Sequence, residues 1–389
     1  MIELECYLDN AATTQALPEV ADVVKDVMCN RYGNPSSLHN RGFEAEKIIK
    51  DARESIAKTL KCSPDNIIFT SGGTEGNNMA LVGGALANQR EGKHIITTCY
   101  EHASVYRPLM YLEDNMGFEV TYLPVDKNGR VELDALKDAL REDTIIVSIM
   151  HVNNEIGSVN DIYEIGNIVK EYNKNIIYHV DAIQSYGKIM INAKRSKADF
   201  ITVSGHKIHG PKGTGFVFKS DNVKVHPIIH GGGQQKNFRS GTENVPGIAG
   251  LKVAADFMYG NMSDHAEHFF KIKKMLKEKC ESIEGVTVNA CEELEATAPH
   301  VLSVSFEGVR SEVLLHALED RGVFVSSGSA CSSNHPGISH ALQAIGVDKN
   351  LLESTIRFSF SVFTTAEMID YTVEQIEDLL PMLRKYVKR

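Results

Sequence analysis

The sequence predicts an α/β protein: a large domain with a mostly parallel sheet flanked by helices, and a smaller α+β domain beside it. Three observations carry that expectation. Between residues 60 and 220, short and nearly uninterrupted apolar runs alternate with helical patterns, which is how strands buried on both faces read. Four of these runs end in polar or glycine-rich clusters. Past residue 255 the pattern changes to a long helical stretch followed by further strands.

In chain order, IIFT (67–70) runs into the glycine-rich SGGTEGNN (71–78), and HIITT (94–98) follows a helix-like segment. FEVTYLPV (118–125) leads to ELDALKDALRE, where Leu133, Leu136 and Leu140 share one helical face. TIIVSIM (144–150), NIIYHVD (175–181) and DFITVSG (199–205) complete the set. The large domain is expected over residues 15–255. Residues 1–14 are too few to fold alone and join 256–389, which contains HFFKIKKMLKEKCESI, HVLSVSF (300–306) and a loop at about 326–340. Ligands of parallel sheets sit beyond the carboxyl ends of the strands. The clusters SGGTEGNN, HVNNEIG, AIQ and HK all fall there, on one rim.

A chain of 389 residues can bury two cores, and its 42% apolar and 24% charged residues are ordinary for a globular protein. A net charge of -10 and a pI near 5.9 argue against a nucleic-acid binder or a basic membrane-surface protein, yet permit a local cationic pocket. No apolar run approaches a membrane span, and MIELECYLDN lacks the pattern of a signal peptide, so a cytoplasmic location is expected. The seven cysteines form no CxxC pair and are odd in number, which fits a reduced compartment.

The rim holds the candidate chemistry. SGGTEGNN is either a tight turn or a cradle of backbone N–H groups for an anion, and no GK[ST] follows to make it a P-loop. Asp181 closes a buried strand, either as a helix cap or as the partner of a cation such as a protonated ring nitrogen. Lys207 stands in SGHKIHGPKGTG. It reads as a surface lysine, as the neighbour of a metal pair formed by His206 and His209, or as an amine that forms a Schiff base. No further ligands at metal spacing accompany those histidines, so no metal is expected.

Together these segments resemble the cysteine desulfurases, pyridoxal-phosphate enzymes of the class V aminotransferase group. The motifs that carry the resemblance are YLDNAATT (7–14), YGNPSSLH (32–39), FTSGGTEGNN (69–78), EHASV (101–105), NNEIG (153–157), HVDAIQSYGK (179–188), SGHKIHGPKGTG (204–215), RSGTEN (239–244) and SSGSACSS (326–333). The resemblance implies the fold-type-I pyridoxal-phosphate transferase architecture. It implies that Lys207 holds pyridoxal 5'-phosphate, that Asp181 pairs with the ring nitrogen, that Gln184 contacts the ring hydroxyl oxygen and that His102 stacks on the ring. Gly73, Thr74, Ser204 and His206 are expected at the phosphate, with Thr242 donated by the second subunit of a homodimer. Arg357, helped by Asn34 and Asn153, is expected to grip the substrate carboxylate.

In the family a cysteine placed like Cys331 takes sulfur from L-cysteine as a persulfide, alanine leaves, and the sulfur passes to an acceptor protein. SSGSACSS is similar to the branch with a long mobile loop. His335 and His340 in that loop read as solvated residues or as tuners of the thiol. The chain ends at LLPMLRKYVKR without the longer extension by which some relatives dock an iron–sulfur scaffold, so scaffold assembly, tRNA thiolation and thiamin supply stay open. Selenocysteine lyase, another class V aminotransferase and a non-catalytic scaffold are the alternative readings.

Overall fold

The computed structural model describes residues 4–327 and 339–387. Strand β1 (Cys6–Tyr7) precedes the large sheet. That sheet contains β2 (Ile67–Thr70), β3 (His94–Thr98), β4 (Glu119–Leu123), β5 (Thr144–Met150), β6 (Ile177–Asp181), β7 (Phe200–Ser204) and β8 (Gly215–Lys219), in the order β2-β8-β7-β6-β5-β3-β4. Neighbours from β4 to β7 are parallel. Only β8 runs the other way, antiparallel to both β7 and β2. The short 205–214 segment between β7 and β8 explains this, because a parallel return needs a crossover of a dozen or more residues.

Every residue of β5, β6 and β7 is buried, as their unbroken apolar runs require. The few polar residues inside the sheet are satisfied there. His179 lies between Ser148 Oγ (2.8 Å) and Thr202 Oγ (3.0 Å), and burial pushes its pKa down to about 3. Helices Pro18–Cys29 and Asn40–Leu60 pack on helix Val245–Gly260. The ELDALKDALRE segment forms helix Leu133–Ala139, with Leu136 and Leu140 buried.

A smaller α+β unit follows. Strands β9 (Val286–Asn289), β10 (Val301–Phe306), β12 (Ser326–Ser327) and β13 (Thr355–Ser359) form an antiparallel sheet in the order β12-β13-β10-β9. Helices Met262–Glu281 and Ala366–Val387 pack together beside it. β11 (Val323–Phe324) pairs in parallel with β1, and Asp9 bridges to Ser359. Residues 10–14 therefore reach the large sheet from an anchor in the small unit. Among the described residues no helix is long and apolar enough to cross a membrane.

Candidate active site

Polar side chains from the ends of β2, β6 and β7, and from the loops after β3 and β5, meet around one cavity of about 260 Å³. After β2, Gly72 has φ 148°, a backbone state open to glycine. This turn starts a helical run from Gly73 to Asn88 that includes a π-helical stretch at Met79–Gly83. A Cβ on Gly73 would lie 2.1 Å from Ile183 Cδ1, and one on Gly72 would lie 3.6 Å from Ser204 Oγ. The glycine turn is thus pressed against the ends of β6 and β7, and Gly73, Thr74, Ser204 and His206 line the same cavity.

Asp181, the last residue of β6, is 4% exposed. Its Oδ1 accepts from Ile183 N–H (3.0 Å) and its Oδ2 from Asn77 Nδ2 (2.8 Å). Burial raises its pKa, against the pull of these bonds and of nearby His102 and Lys207. Beyond β7, Lys207 sits in a 3₁₀ turn and its Nζ donates to Ala11 O (2.6 Å) and Ala12 O (2.5 Å). Gln184 Nε2 donates to Ala11 O as well (2.9 Å). The N-terminal segment is therefore a wall of the cavity, stitched to the rim by Thr14 N–H donating to His206 O (2.9 Å).

His102 caps helix Ala103–Met116, its Nδ1 accepting from Ser104 N–H. Burial lowers its pKa, and Lys207 adds to the effect while Asp181 opposes it. His206 is pushed down to about 4, first by burial and then by Lys207, Lys212 and Lys188. The two histidines beside Lys207 do not converge: His206 Nδ1 faces Thr13 Oγ (3.2 Å), whereas His209 Nδ1 bonds Gln15 O (2.7 Å).

Arg357 lies on β13 and is 3% exposed. Its Nη2 pairs with Asp9 Oδ1 (2.6 Å) and its Nη1 donates to Asn154 O (3.0 Å). Its Nε is buried with no partner among the described residues. In register, Arg357 faces Ser326 of β12, the strand that leads towards Cys331. Cys331 and His335 lie outside the described residues. The Ser339 hydroxyl donates to the Glu155 carboxyl. His340 is exposed, its ring 6.2 Å from that of Tyr106.

The class-V aminotransferase profile matches residues 6–372. A cysteine desulfurase IscS from Dictyoglomus turgidum is 44% identical over 381 residues, 98% of this chain and 95% of that one. The chain belongs to the cysteine desulfurases of the class-V aminotransferase family. Solved structures agree. A NifS-like protein superposes with a TM-score of 0.92 at 38% identity, covering 98% of this chain and all of that one. A structure of SspA in complex with cysteine gives 0.79 at 33% identity, covering 92% and 100%.

Cysteine desulfurases depend on pyridoxal phosphate, and the cavity's donor set fits it. A buried carboxylate, Asp181, stands where a protonated ring nitrogen would give it a cation. The glycine turn and Ser204 form a cradle in which a side chain on Gly73 would have no room.

Three expected helpers do not line this chain's cavity. Thr242 and Asn34 are exposed, and Asn34 Oδ1 accepts from Ser36 N–H (2.9 Å). Asn153 is buried in its own turn, Oδ1 accepting from Glu155 N–H (2.8 Å) and Ile156 N–H (3.0 Å), and it is Asn154 that lines the cavity. Sequence reasoning missed Asn77 and Ser104. Asn77 stands four residues after Gly73 on the buried helix face, where an amide needs partners, and that spacing was a usable signal.

Proposed function

We propose that this chain removes sulfur from L-cysteine, giving L-alanine and a persulfide on Cys331 that is handed to an acceptor protein. The observation that carries the reading is the meeting of Lys207, Asp181, His102 and Arg357 around one cavity. The similarity to SspA, which was solved with cysteine, supports the substrate. The reaction balances without an outside oxidant: the substrate C–S bond breaks, an S–S bond to Cys331 forms, and L-cysteine plus a thiol becomes L-alanine plus a persulfide.

Pyridoxal phosphate supplies an electron-accepting ring that makes the Cα proton acidic. Lys207 is the amine that would hold it, and its Nζ is the base that would move the proton at Cα. Asp181 would keep the ring nitrogen protonated, and Gln184 would contact the ring hydroxyl. Gly73, Thr74, Ser204 and His206 would hold the phosphate. Arg357, through its unpartnered Nε and a neighbouring Nη, takes the substrate carboxylate. Asn154 assumes the supporting place expected of Asn153. Thr242, exposed and away from its own cavity, fits a phosphate contact made in a second copy, so we assign a homodimer. The acceptor is an iron–sulfur scaffold or a tRNA-thiolation enzyme.

The test is alanine and sulfide release from L-cysteine by the purified holoenzyme, beside Cys331→Ala and Lys207→Ala. Alanine formed by the parent and lost in both variants is the expected result. A parent with a cofactor absorption band but no cysteine-dependent alanine would overturn the substrate. Alanine formed by Cys331→Ala at the parent rate would overturn the nucleophile.

A further inference from the structure

Two buried polar side chains between Asp181 and His102 have no part in the reading above. Asn77 is fully buried, and its Nδ2 donates both to Asp181 Oδ2 (2.8 Å) and to Ser104 Oγ (2.9 Å). Its Oδ1 has no partner among the described residues. Ser104 Oγ lies 2.8 Å from His102 Nδ1, and the Ser104 backbone N–H donates to the same nitrogen at 3.1 Å.

These bonds have one consistent direction. Turning the Asn77 amide over would set its oxygen against the Asp181 carboxylate, acceptor on acceptor, so both Asn77 N–H bonds act as donors. Ser104 Oγ accepts from Asn77 and has a single O–H left, which points to His102 Nδ1. That nitrogen now receives an O–H and a backbone N–H, so it carries a lone pair. The ring proton of neutral His102 is then on Nε2, the nitrogen left for the cavity that His102 lines.

We propose that Ser104, held by Asn77, is a positioning residue that fixes His102 as its Nε2–H tautomer, so that His102 meets the substrate as a hydrogen-bond donor and leaves proton abstraction to Lys207. The proposal rests on the desulfurase reading for its substrate, but not for its tautomer. Asp181 and Lys207 are the charged groups that act on the His102 ring, and Asp181 is tied to it through this same chain of bonds. A donor suits a reaction in which the electron pair of the broken C–S bond stays on the carbon side, which must take a proton to become alanine's methyl group, while the sulfur passes to Cys331.

The experiment is two-bond ¹H–¹⁵N correlation of histidine-labelled holoenzyme, repeated on cofactor-free protein, with the His102 signals assigned by their loss in His102→Gln. The parent is expected to show a protonated Nε2 and a lone-pair Nδ1. Ser104→Ala leaves the backbone N–H as the one donor on Nδ1, so it should raise the share of the Nδ1–H tautomer above the parent's, with kcat lower by roughly tenfold and KM within about twofold. Ser104→Thr, which keeps the hydroxyl, should restore both. Asn77→Ala should move His102 the same way, and the reading on the parent stands even where that variant fails to fold. A proton on Nδ1 in the parent overturns the proposal, as does a Ser104→Ala enzyme with parental tautomer and kcat. A parent with the expected tautomer that makes no alanine would instead strike the functional reading and leave this one intact.

Discussion

Glu101→Gln isolates the effect of a buried acid one residue before His102. Glu101 Oε1 accepts from Thr98 Oγ (2.8 Å) and Met150 N–H (3.0 Å), whereas Oε2 is buried with no partner among the described residues. Burial, with a smaller push from Asp181, raises its pKa from 4.5 to about 8. The folded chain therefore holds this proton more tightly than the unfolded chain does. Its effect on stability is absent below pH 4.5, grows as a destabilisation while pH rises towards 8, and then levels off. That interval corresponds to about 5 kcal/mol. Glutamine copies the protonated acid, keeping Oε1 and placing an N–H donor where the acid O–H already lacks a partner, so those unpaired donors roughly cancel. Urea unfolding of cofactor-free parent and variant, followed by far-UV circular dichroism at several pH values, should show equal stability near pH 5 and a more stable variant by pH 8, by up to about 5 kcal/mol. A difference that stays constant from pH 5 to 8 would refute the reasoning, because Glu101 would then be ionised throughout. A neutral Glu101 leaves Asp181 as the anion available to a ring nitrogen.

Asp181→Asn should lower kcat by about 100- to 1000-fold, the usual effect of removing a group aimed at developing charge, in a steady-state alanine assay. Its amide can accept from only one of Ile183 N–H and Asn77, and the mismatch should cost about 1–3 kcal/mol in urea unfolding. Arg357→Lys should raise KM for cysteine about 10- to 100-fold with a smaller change in kcat, since one charge-assisted bond of about 1.5–3 kcal/mol is lost with the planar fork. Burial holds His151, His206 and His209 at about 4 and His179 at about 3. The unfolded chain takes up these protons first, so the melting temperature of cofactor-free protein should fall steeply as pH drops from 6.5 towards 4. Bound inorganic phosphate should blunt the His206 share.

The strands of the large sheet were legible because β5, β6 and β7 are buried on both faces and so read as unbroken apolar runs. For the same reason Asp181 and Lys207 could be placed on one rim from sequence alone. The reversal of β8 was not legible, since GFVFK has the same composition in either direction and only loop length decides. Asn153 and Asn154 are adjacent and chemically identical, so which one faces the cavity depends on the path of the turn, not on residue type. The Asp181–Asn77–Ser104–His102 chain joins residues from three separate elements. No local pattern encodes that meeting.

The pairing of β1 with β11, and of Asp9 with Arg357, has a consequence for synthesis. Asp9 and Arg357 are 348 residues apart. At about 5–20 residues per second a ribosome needs roughly 17–70 s between them. For most of that interval Ala11 and Ala12, which become a wall of the cavity, have neither the β11 nor the β13 edge to hold them. The glycine turn after β2 and the end of β7 are made early, whereas the Arg357 side of the cavity waits for almost the last strand. The residues that line one end of the cavity thus leave the ribosome long before Arg357 does.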